Sequence, residues 1–279
     1  MKKISRRSFL AAAGLSVAAL ALTACGGSSA STASSVASSA ASSEAASTSA
    51  AAGERASVEA GKLTMATIAT FPPYEMTTDA GEFEGIDIET AQAIADKLGL
   101  ELQIDDMDFD AALLSVQQGK ADIVMAGVTV TDERKAVMDF SDSYATGIQS
   151  IIVPEGSDIT SPDDLAGKKI GTQRGTTGYI YCSDDFGDDA VVAYDDGLTA
   201  VQALNNGQVD AVVIDNAPAK EFVAANPGLV ILDTSYAEED YAIGLAKGSA
   251  LEDAVNAALE ELKADGTLQS IVDKYITAE

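Results

Sequence analysis

The sequence predicts an α/β protein made of two similar lobes, each built on an open parallel sheet. The prediction depends first on a near repeat: AALLSVQQGKADIVMAGV at residues 111–128 aligns without a gap on TAVQALNNGQVDAVVIDN at residues 199–216. Each copy has apolar residues at helical spacing, then a glycine of the kind that caps helices. An apolar run typical of a buried parallel strand follows.

The start of each half repeats as well. GKLTMATIATF at residues 61–71 resembles GKKIGTQRGTT at residues 167–177, and each predicts a strand that enters a loop of small or hydroxyl residues. A helix follows, DIETAQAIADKLG in the first half and roughly GYIYCSDDF in the second. Each half therefore predicts strand–helix–strand–helix–strand, the pattern of an open parallel sheet. We expect the two lobes to face one another across a crevice.

The N-terminus predicts export. MKKISRRSFL is basic, and the apolar run from Phe9 to Leu22 is too short to span a membrane but has the length of a signal-peptide core. We expect residues 1–24 to be a signal peptide. SRRSFL resembles a twin-arginine signal, although ordinary signals also carry paired basic residues, so the export route stays open. LTAC resembles a lipobox, which predicts that lipidated Cys25 holds the chain on the extracytoplasmic face of the cell membrane.

Residues 25–60 predict a flexible tether behind that lipid. They are mostly Ser, Ala, Thr and Gly, which bury too little apolar surface to offset the entropy of ordering the chain. In the body, we expect residues 61–148 plus 240–279 to form the first lobe and residues 149–239 to form the second.

Charge and composition exclude several classes of function. Without residues 1–24 the chain has 13 Lys and Arg against 44 Asp and Glu, a net charge of −31. That charge argues against nucleic acid as a partner and against electrostatic docking on anionic lipid. The chain has no histidine, which excludes Ser–His–Asp and Cys–His catalysis and His-ligated zinc. Cys182 is the only thiol left once Cys25 is lipidated, and we expect it to be buried and free.

Neither a metal nor a cofactor is predicted. The alternating aspartates of DDMDFDAALLSVQ are spaced as in a calcium loop, but Ala111 replaces the required glycine and Gln117 the bidentate glutamate. GTQRGTTG is glycine-rich yet lacks the lysine and the spacing of a phosphate-binding loop.

The crevice between the lobes is the candidate site, because ligands of open parallel sheets bind outside the carboxyl ends of the strands. Loops and strand ends there supply these candidate residues: Phe71, Ala126, Gly127, Thr129, Arg174, Thr176, Thr177 and Asp215. Arg134 follows in TDERK, where Thr131 or Asp132 is expected to cap a short helix. An arginine fork fits a carboxylate, and an aspartate on the opposite wall favours an ammonium group. Together they predict an α-amino acid, with Phe71 and Phe109 against its side chain.

Several motifs resemble those of the family-3 solute-binding proteins of polar amino-acid ABC transporters. They are TFPPYE, GEFEGIDIETAQAIADKLG, MDFDAAL, AGVTVTDERK, DFSDSY, GTTG and GTLQSIVDKY, in the family's order across residues 61–276. The resemblance implies a periplasmic-binding-protein-like fold of type II, the Venus flytrap, with two crossover strands, expected at residues 144–152 and 237–245. It also implies a polar amino acid as ligand and ABC permease subunits as partners. We expect the receptor itself to be a monomer.

The resemblance also implies roles for individual residues. Arg134 matches the family arginine that grips the ligand carboxylate, and Asp215 matches the aspartate on the ammonium. Thr129 matches the hydroxyl residue at the strand end, and Gly127 matches a position whose backbone contacts the ligand. Phe71 and Phe109 match the family's aromatic residues. Thr176 and Thr177 match the loop of the second lobe that contacts the ligand. Ile68 stands where relatives that bind basic amino acids often have an acid, and Ala126 with Gly127 where several have serines, so the identity of the amino acid stays open.

Other interpretations stay open at this point. The same scaffold is found in enzymes of the cyclohexadienyl dehydratase type. The chain has no histidine and no evident acid–base set, which argues against catalysis, although a single carboxylate could be sufficient for it. A ligand sensor is usually fused to a spanning helix, whereas this chain has a predicted lipid anchor. Arg134 could instead form a surface pair with a nearby aspartate, at Asp132, Asp139 or Asp142. The same ambiguity applies to Arg174.

Overall fold

The computed structural model describes residues 57–276, which form two large sheets and one small antiparallel sheet of three strands. The strands are β1 (Lys62–Thr67), β2 (Thr70–Phe71), β3 (Glu75–Thr77), β4 (Phe83–Glu84), β5 (Glu101–Asp106), β6 (Ile123–Val124), β7 (Met138–Phe140), β8 (Ala145–Pro154), β9 (Ile170–Gln173), β10 (Val191–Tyr194), β11 (Ala211–Asp215), β12 (Leu229–Ile231), β13 (Ala237–Tyr241) and β14 (Gly244–Ala246). The helices are α1 (Ile86–Leu98), α2 (Phe109–Gln117), α3 (Asp132–Lys135), α4 (Thr177–Phe186), α5 (Gly197–Asn205), α6 (Asn216–Ala225), α7 (Glu252–Ala264) and α8 (Thr267–Tyr275).

The first lobe is built on a sheet of strand order β5-β1-β6-β14-β7. Strands β1, β5 and β6 run parallel and alternate with α1 and α2 along the chain, which confirms the predicted strand–helix–strand–helix–strand order. The predicted sheet is wholly parallel, whereas β14 runs antiparallel to both β6 and β7. These extra strands come from segments outside the repeat, so the repeat could not predict them.

The second lobe repeats this plan in a sheet of strand order β10-β9-β11-β8-β12. Its parallel strands β9, β10 and β11 alternate with α4 and α5, again as predicted. Strand β8 runs antiparallel to β11, and β12 runs antiparallel to β8. The fold therefore consists of two α/β lobes, each built on a mixed sheet. The parallel strands of each sheet come from the repeated units.

The chain crosses between the lobes twice, which confirms the two predicted crossover strands. It passes from β7 in the first sheet into β8 in the second, and returns from β13 into β14. Strands β8 and β13 pair antiparallel, with Gln149 opposite Ala237 and Ala145 opposite Tyr241. Two paired strands between lobes are a common form of hinge.

Glycines follow the helices of the repeat, as predicted, but one position later than a C-cap. Gln118 caps α2 and Asn206 caps α5. Gly119 and Gly207 come next with φ of 65° and 67°, in the left-handed region that glycine enters without steric cost.

The core of each lobe lies between its sheet and its helices. In the first lobe Leu63 and Met65 of β1 are fully buried beside Ile94 of α1, and complete burial of such a side chain contributes roughly 1.5–3 kcal/mol. Cys182 is buried on α4 and free, which confirms the prediction, and burial raises the pKa of its thiol to about 12.

Some predictions lie outside the described residues. They are the signal peptide (1–24), the lipidated Cys25 and most of the tether (25–56). Within residues 57–276, no helix has the length and apolarity needed to cross a membrane. Within the same range, no group of three or more acidic or cysteine side chains is arranged to hold a metal ion.

Candidate functional site

A narrow cavity lies between the two lobes, beyond the carboxyl ends of β1, β6, β9 and β11. Its volume is about 30 Å³, counted as the space that the centre of a water molecule could occupy. Its lining residues are Ile68, Phe71, Phe109, Ala126, Gly127, Thr129, Arg134, Gln149, Gln173, Thr176, Thr177, Val213, Ile214, Asp215 and Tyr241. Of the ten residues predicted for the site, nine line this cavity and Arg174 does not. Their contacts with a ligand stay a prediction.

Arg134 is held in the cavity by a short helix. Thr131 caps α3 and its hydroxyl accepts from the Arg134 backbone N–H at 3.2 Å, one of the two predicted caps. The residue is 8% exposed. Its Nη1 donates to the carbonyl of Thr129 at 2.8 Å, and its Nη2 donates to the carbonyl of Gly175, in the second lobe, at 3.2 Å. It also lies 5.3 Å from the ring centre of Phe109, a cation–π geometry.

The alternative of a surface ion pair does not hold for Arg134. No carboxylate among residues 57–276 lies within ion-pair distance of it; Asp139, one of the proposed partners, pairs with Lys247 at 2.6 Å. An arginine has five N–H donors, and neutral carbonyls take two here. The charge of Arg134 is therefore available to an anion in the cavity.

Asp215 lies on the opposite wall, in the second lobe. It ends β11 and caps α6, so that its Oδ1 accepts from Ala217 N at 2.9 Å while its Oδ2 accepts from Ile148 N at 2.8 Å. The residue is 2% exposed, and this burial raises the pKa of its carboxyl to about 6, opposed by these backbone hydrogen bonds. A buried carboxylate with free lone pairs favours a cationic donor.

Hydroxyl groups from both lobes meet at the cavity. Thr129 Oγ1 of the first lobe lies 3.4 Å from Thr177 Oγ1 of the second. Thr176 caps α4, and its hydroxyl donates to the carbonyl of Gln173 at 2.8 Å. The lobes are thus in direct contact around the cavity.

Aromatic rings close one side of the cavity. Phe71 stacks on Tyr74 with ring centres 5.8 Å apart, and Tyr74 meets Tyr241 edge-on at 5.5 Å. Gly127 lies against these rings with φ of 55°, and a Cβ there would come within 2.9 Å of Phe71 Cε1. Both the backbone conformation and the space therefore require glycine at position 127.

Arg174 lies outside the cavity, on the exposed surface. Its Nη2 is 3.4 Å from Asp195 Oδ1, and both side chains are more than half exposed. Gln173, the residue before it, lines the cavity. Successive side chains of an extended segment point to opposite sides, so a strand end that directs Gln173 inward directs Arg174 outward.

Six of the lining residues are not among the ten predicted for the site. They are Ile68, Gln149, Gln173, Val213, Ile214 and Tyr241. Ile68 is known from the sequence only as a departure from the family pattern. Gln149 and Tyr241 lie on the crossover strands β8 and β13. The sequence predicts these two strands, and strands that join two lobes also bound the space between the lobes. The predicted crossovers could therefore have indicated both residues.

A pair of carboxyl groups is buried directly behind the cavity. Glu75 and Asp87 are both fully buried, and neither oxygen of Glu75 has a hydrogen-bond partner among the described residues. Asp87 Oδ2 accepts from Gly127 N at 3.1 Å and from the Tyr144 hydroxyl at 2.8 Å. Burial, followed by the charge of Asp87, raises the pKa of Glu75 well above its ordinary value, and burial raises the pKa of Asp87 to about 6. The two carboxyl groups therefore do not both ionise readily, because each lacks solvent and the charge of one disfavours the charge of the other.

We expect the pH dependence of stability to change in Glu75→Gln. A carboxyl with a raised pKa in the folded state binds more protons than in the unfolded state, so stability falls as pH rises from about 4 through the folded pKa, by about 1.4 kcal/mol per pH unit per group. The amide has the shape of the protonated acid but does not titrate. Urea unfolding between pH 5 and pH 8 should therefore show a smaller loss of stability than in the parent chain. The matched control is Glu82→Gln, an exposed site on the same hairpin. Parallel curves for Glu75→Gln and the parent would contradict the raised pKa of Glu75.

Comparison with known proteins agrees with this geometry. The family model for bacterial extracellular solute-binding proteins, family 3, matches residues 63–278. The chain belongs to that family. This family-3 protein is 34% identical over 226 residues to the L-cystine-binding protein TcyJ of Escherichia coli strain K12. The alignment covers 79% of this chain and 85% of that protein.

Solved structures of other proteins are similar as well. The arginine-, lysine-, histidine-binding protein ArtJ from Geobacillus stearothermophilus is 34% identical with a TM-score of 0.75, over 78% of this chain and 96% of that one. An ancestral arginine-binding protein bound to glutamine is 42% identical with a TM-score of 0.75, over 78% and 99%. This family-3 protein thus has the bilobal fold of amino-acid-binding proteins, and each of these relatives is named as a binding protein.

Proposed function

We propose that this chain is an extracytoplasmic receptor that captures a polar α-amino acid between its lobes and delivers it to the permease of an ABC transporter. One observation carries the proposal. One wall of the cavity presents a buried arginine without an ion-pair partner in the described chain, Arg134, and the opposite wall presents a buried carboxylate, Asp215. A ligand with a carboxylate and an ammonium on one carbon satisfies both.

The relatives support the same class of ligand. Their names mention cystine, arginine, lysine, histidine and glutamine, which differ in side chain but share the α-carboxylate and α-ammonium. In this chain Phe71, Phe109, Thr129, Thr176 and Thr177 are the proposed contacts for the rest of the ligand.

We propose binding without chemistry for this cavity. Asp215 is the one carboxylate among the lining residues of the described chain, and two backbone N–H groups already hold it. Acid–base catalysis usually needs a second titratable group beside the first, and the chain has no histidine to provide it.

A panel of amino acids tests the proposed function. The body of the protein is heated with each common L-amino acid in turn, and the melting temperature is measured. A ligand at 100 times its dissociation constant adds about 2.7 kcal/mol of stability. We expect a shift for one chemical group of polar amino acids; a panel without any shift would exclude the amino-acid receptor.

We also propose that Cys25 anchors the receptor by lipid, with residues 25–60 as its tether. In this proposal residues 61–148 with 240–279 are one lobe and residues 149–239 the other, and the receptor acts as a monomer. This places the binding cleft at the membrane surface, beside the permease, which takes the released amino acid.

Cys25→Ser is expected to block lipidation and to leave the protein unprocessed or shed into the medium. Stable retention requires several acyl chains, because one chain alone binds a membrane weakly. Cell fractionation and gel mobility measure the result. Cys182→Ser is the control, since Cys182 is buried in the second lobe and its loss leaves the anchor in place. Membrane retention of the Cys25 variant at the parent's mobility would exclude the lipobox.

A further inference from the structure

Glu239 is a buried carboxylate behind the cavity wall to which the proposed function gives no role. It lies on β13 and is 6% exposed, while Glu238 and Asp240 on either side are exposed, as expected where side chains alternate along a strand. Glu239 is not among the lining residues of the cavity. A buried carboxylate requires hydrogen-bond partners, and the partners of this one are lining residues.

Glu239 Oε2 accepts two hydrogen bonds. Thr129 Oγ1 lies 2.9 Å from it and Gln149 Nε2 lies 3.0 Å from it. Because an ionised carboxylate only accepts, both side chains must donate. The Thr129 hydroxyl has one hydrogen, and Glu239 takes it. The Thr129 oxygen therefore has only lone pairs left for any other neighbour.

Thr129 lies where the ammonium of an amino acid is expected. Its backbone carbonyl accepts from Arg134 Nη1 at 2.8 Å, so the residue lies beside the group proposed to hold the ligand carboxylate. An α-ammonium is one carbon away from that carboxylate. Since the Thr129 hydroxyl is an acceptor, it suits an ammonium and leaves Thr177 as the donor in the 3.4 Å contact between the two hydroxyls.

The remaining oxygen of Glu239 adds negative charge to this wall. Oε1 is buried without a hydrogen-bond partner, and no cation of the described chain forms an ion pair with Glu239. Burial lowers the pKa of Arg134, and the charge of Glu239 opposes that effect. Burial, and then the same charge, raises the pKa of Tyr181 to about 12. Glu239 thus acts on groups of both lobes.

We propose that Glu239 is a positioning residue for ligand selectivity: it holds the Thr129 hydroxyl as an acceptor, so that the cleft prefers carboxylates with a neighbouring ammonium group over carboxylates without one. This inference rests on the proposed function and names the residue behind its preference for α-amino acids. Glu239 acts through Thr129 and touches no ligand itself.

Glu239→Gln tests the inference by calorimetric titration with two matched pairs of probes. They are L-arginine with 5-guanidinopentanoic acid, and L-glutamine with 5-amino-5-oxopentanoic acid; the second member of each pair lacks only the α-ammonium. The amide can present an N–H to Thr129, which frees the Thr129 hydrogen to turn toward the ligand. Hydrogen bonds to charged groups correspond to about 10-fold to 100-fold in affinity, so the preference for the amino acid should fall by about that factor. Glu238→Gln, the exposed neighbour, should leave the preference unchanged.

Thr129→Val separates this route from other effects. It should lower the same preference even if Glu239→Gln fails to fold, and adding Glu239→Gln to it should change the preference no further. Equal losses for both members of each pair would indicate a structural role and overturn the inference. Additive changes in the double variant would also overturn it, because Glu239 would then act by charge and not through Thr129. An unchanged preference in Glu239→Gln removes the inference alone, whereas a parent chain that binds neither amino acid removes the proposed function as well.

Discussion

Arg134→Ala is expected to weaken binding of the panel's best amino acid by about 30-fold to several-thousand-fold. The guanidinium is buried and lacks a carboxylate partner in the described chain, so the ligand carboxylate would complete its coordination. Loss of one partner from a buried charge pair costs on the order of 2–5 kcal/mol, which corresponds to that range in dissociation constant. Titration calorimetry of the variant and the parent measures the change.

Ligand chemistry and a second arginine make the result specific. The α-amide of the same amino acid lacks the carboxylate charge, so it should lose little further affinity in Arg134→Ala. Arg174→Ala is the matched control: this exposed arginine pairs with Asp195 at 3.4 Å, and exposed pairs contribute only about 0–1 kcal/mol. It should change binding less than about threefold. Binding by Arg134→Ala within threefold of the parent would exclude the carboxylate clamp, and with it the geometric case for an amino-acid site.

Asp215→Asn is expected to weaken amino-acid binding by a similar factor through the ammonium. The substitution keeps the size of the side chain but removes its charge, and a buried ammonium without its counter-charge costs on the order of 2–5 kcal/mol. A des-amino analogue has no ammonium and should therefore bind the variant and the parent with similar affinity. The ratio of the two dissociation constants, measured by calorimetry, is the readout.

The helix-capping role of Asp215 requires its own control. Asp196 caps α5 in the same lobe, and like Asp215 it uses both oxygens, accepting from Thr199 N at 2.7 Å and from Thr199 Oγ1 at 3.0 Å. Asp196 does not line the cavity, so Asp196→Asn should lower the melting temperature without changing the ratio. If Asp215→Asn behaves like Asp196→Asn, Asp215 is a helix cap and not an ammonium site.

The repeat accounts for how much of the fold could be predicted. It placed β1, β6, β9 and β11 and the helices between them, because a buried parallel strand and an amphipathic helix each have a local pattern. The antiparallel strands lacked such a signal. Strands β8 and β13 pair residues about ninety positions apart, such as Gln149 with Ala237, and a pairing of this range depends on packing that a single sequence does not display.

The same distinction separates the predicted site residues from the missed ones. Residues next to a strand end of the repeat, such as Thr129 and Asp215, were located by the rule that ligands bind beyond the carboxyl ends. Tyr241 and Glu239 reach the site region from β13, whose position depends on that long-range pairing. Arg174 shows a third limit: the strand end was right, but one residue of register decides whether a side chain faces the cavity or the solvent.

The hydrogen bond from Arg134 to the Gly175 carbonyl links one lobe to the other. We expect a ligand that contacts both lobes to leave this cavity only when that bond and the contact between Thr129 and Thr177 open. Departure is then a first-order event that depends on how often the lobes open, a motion of microseconds to milliseconds in comparable closures. Ligands of this receptor should differ mainly in residence time, since related complexes differ more in dissociation than in association. A membrane partner that recognises the closed shape would therefore respond to how long an amino acid keeps the lobes together, whichever side chain that amino acid carries.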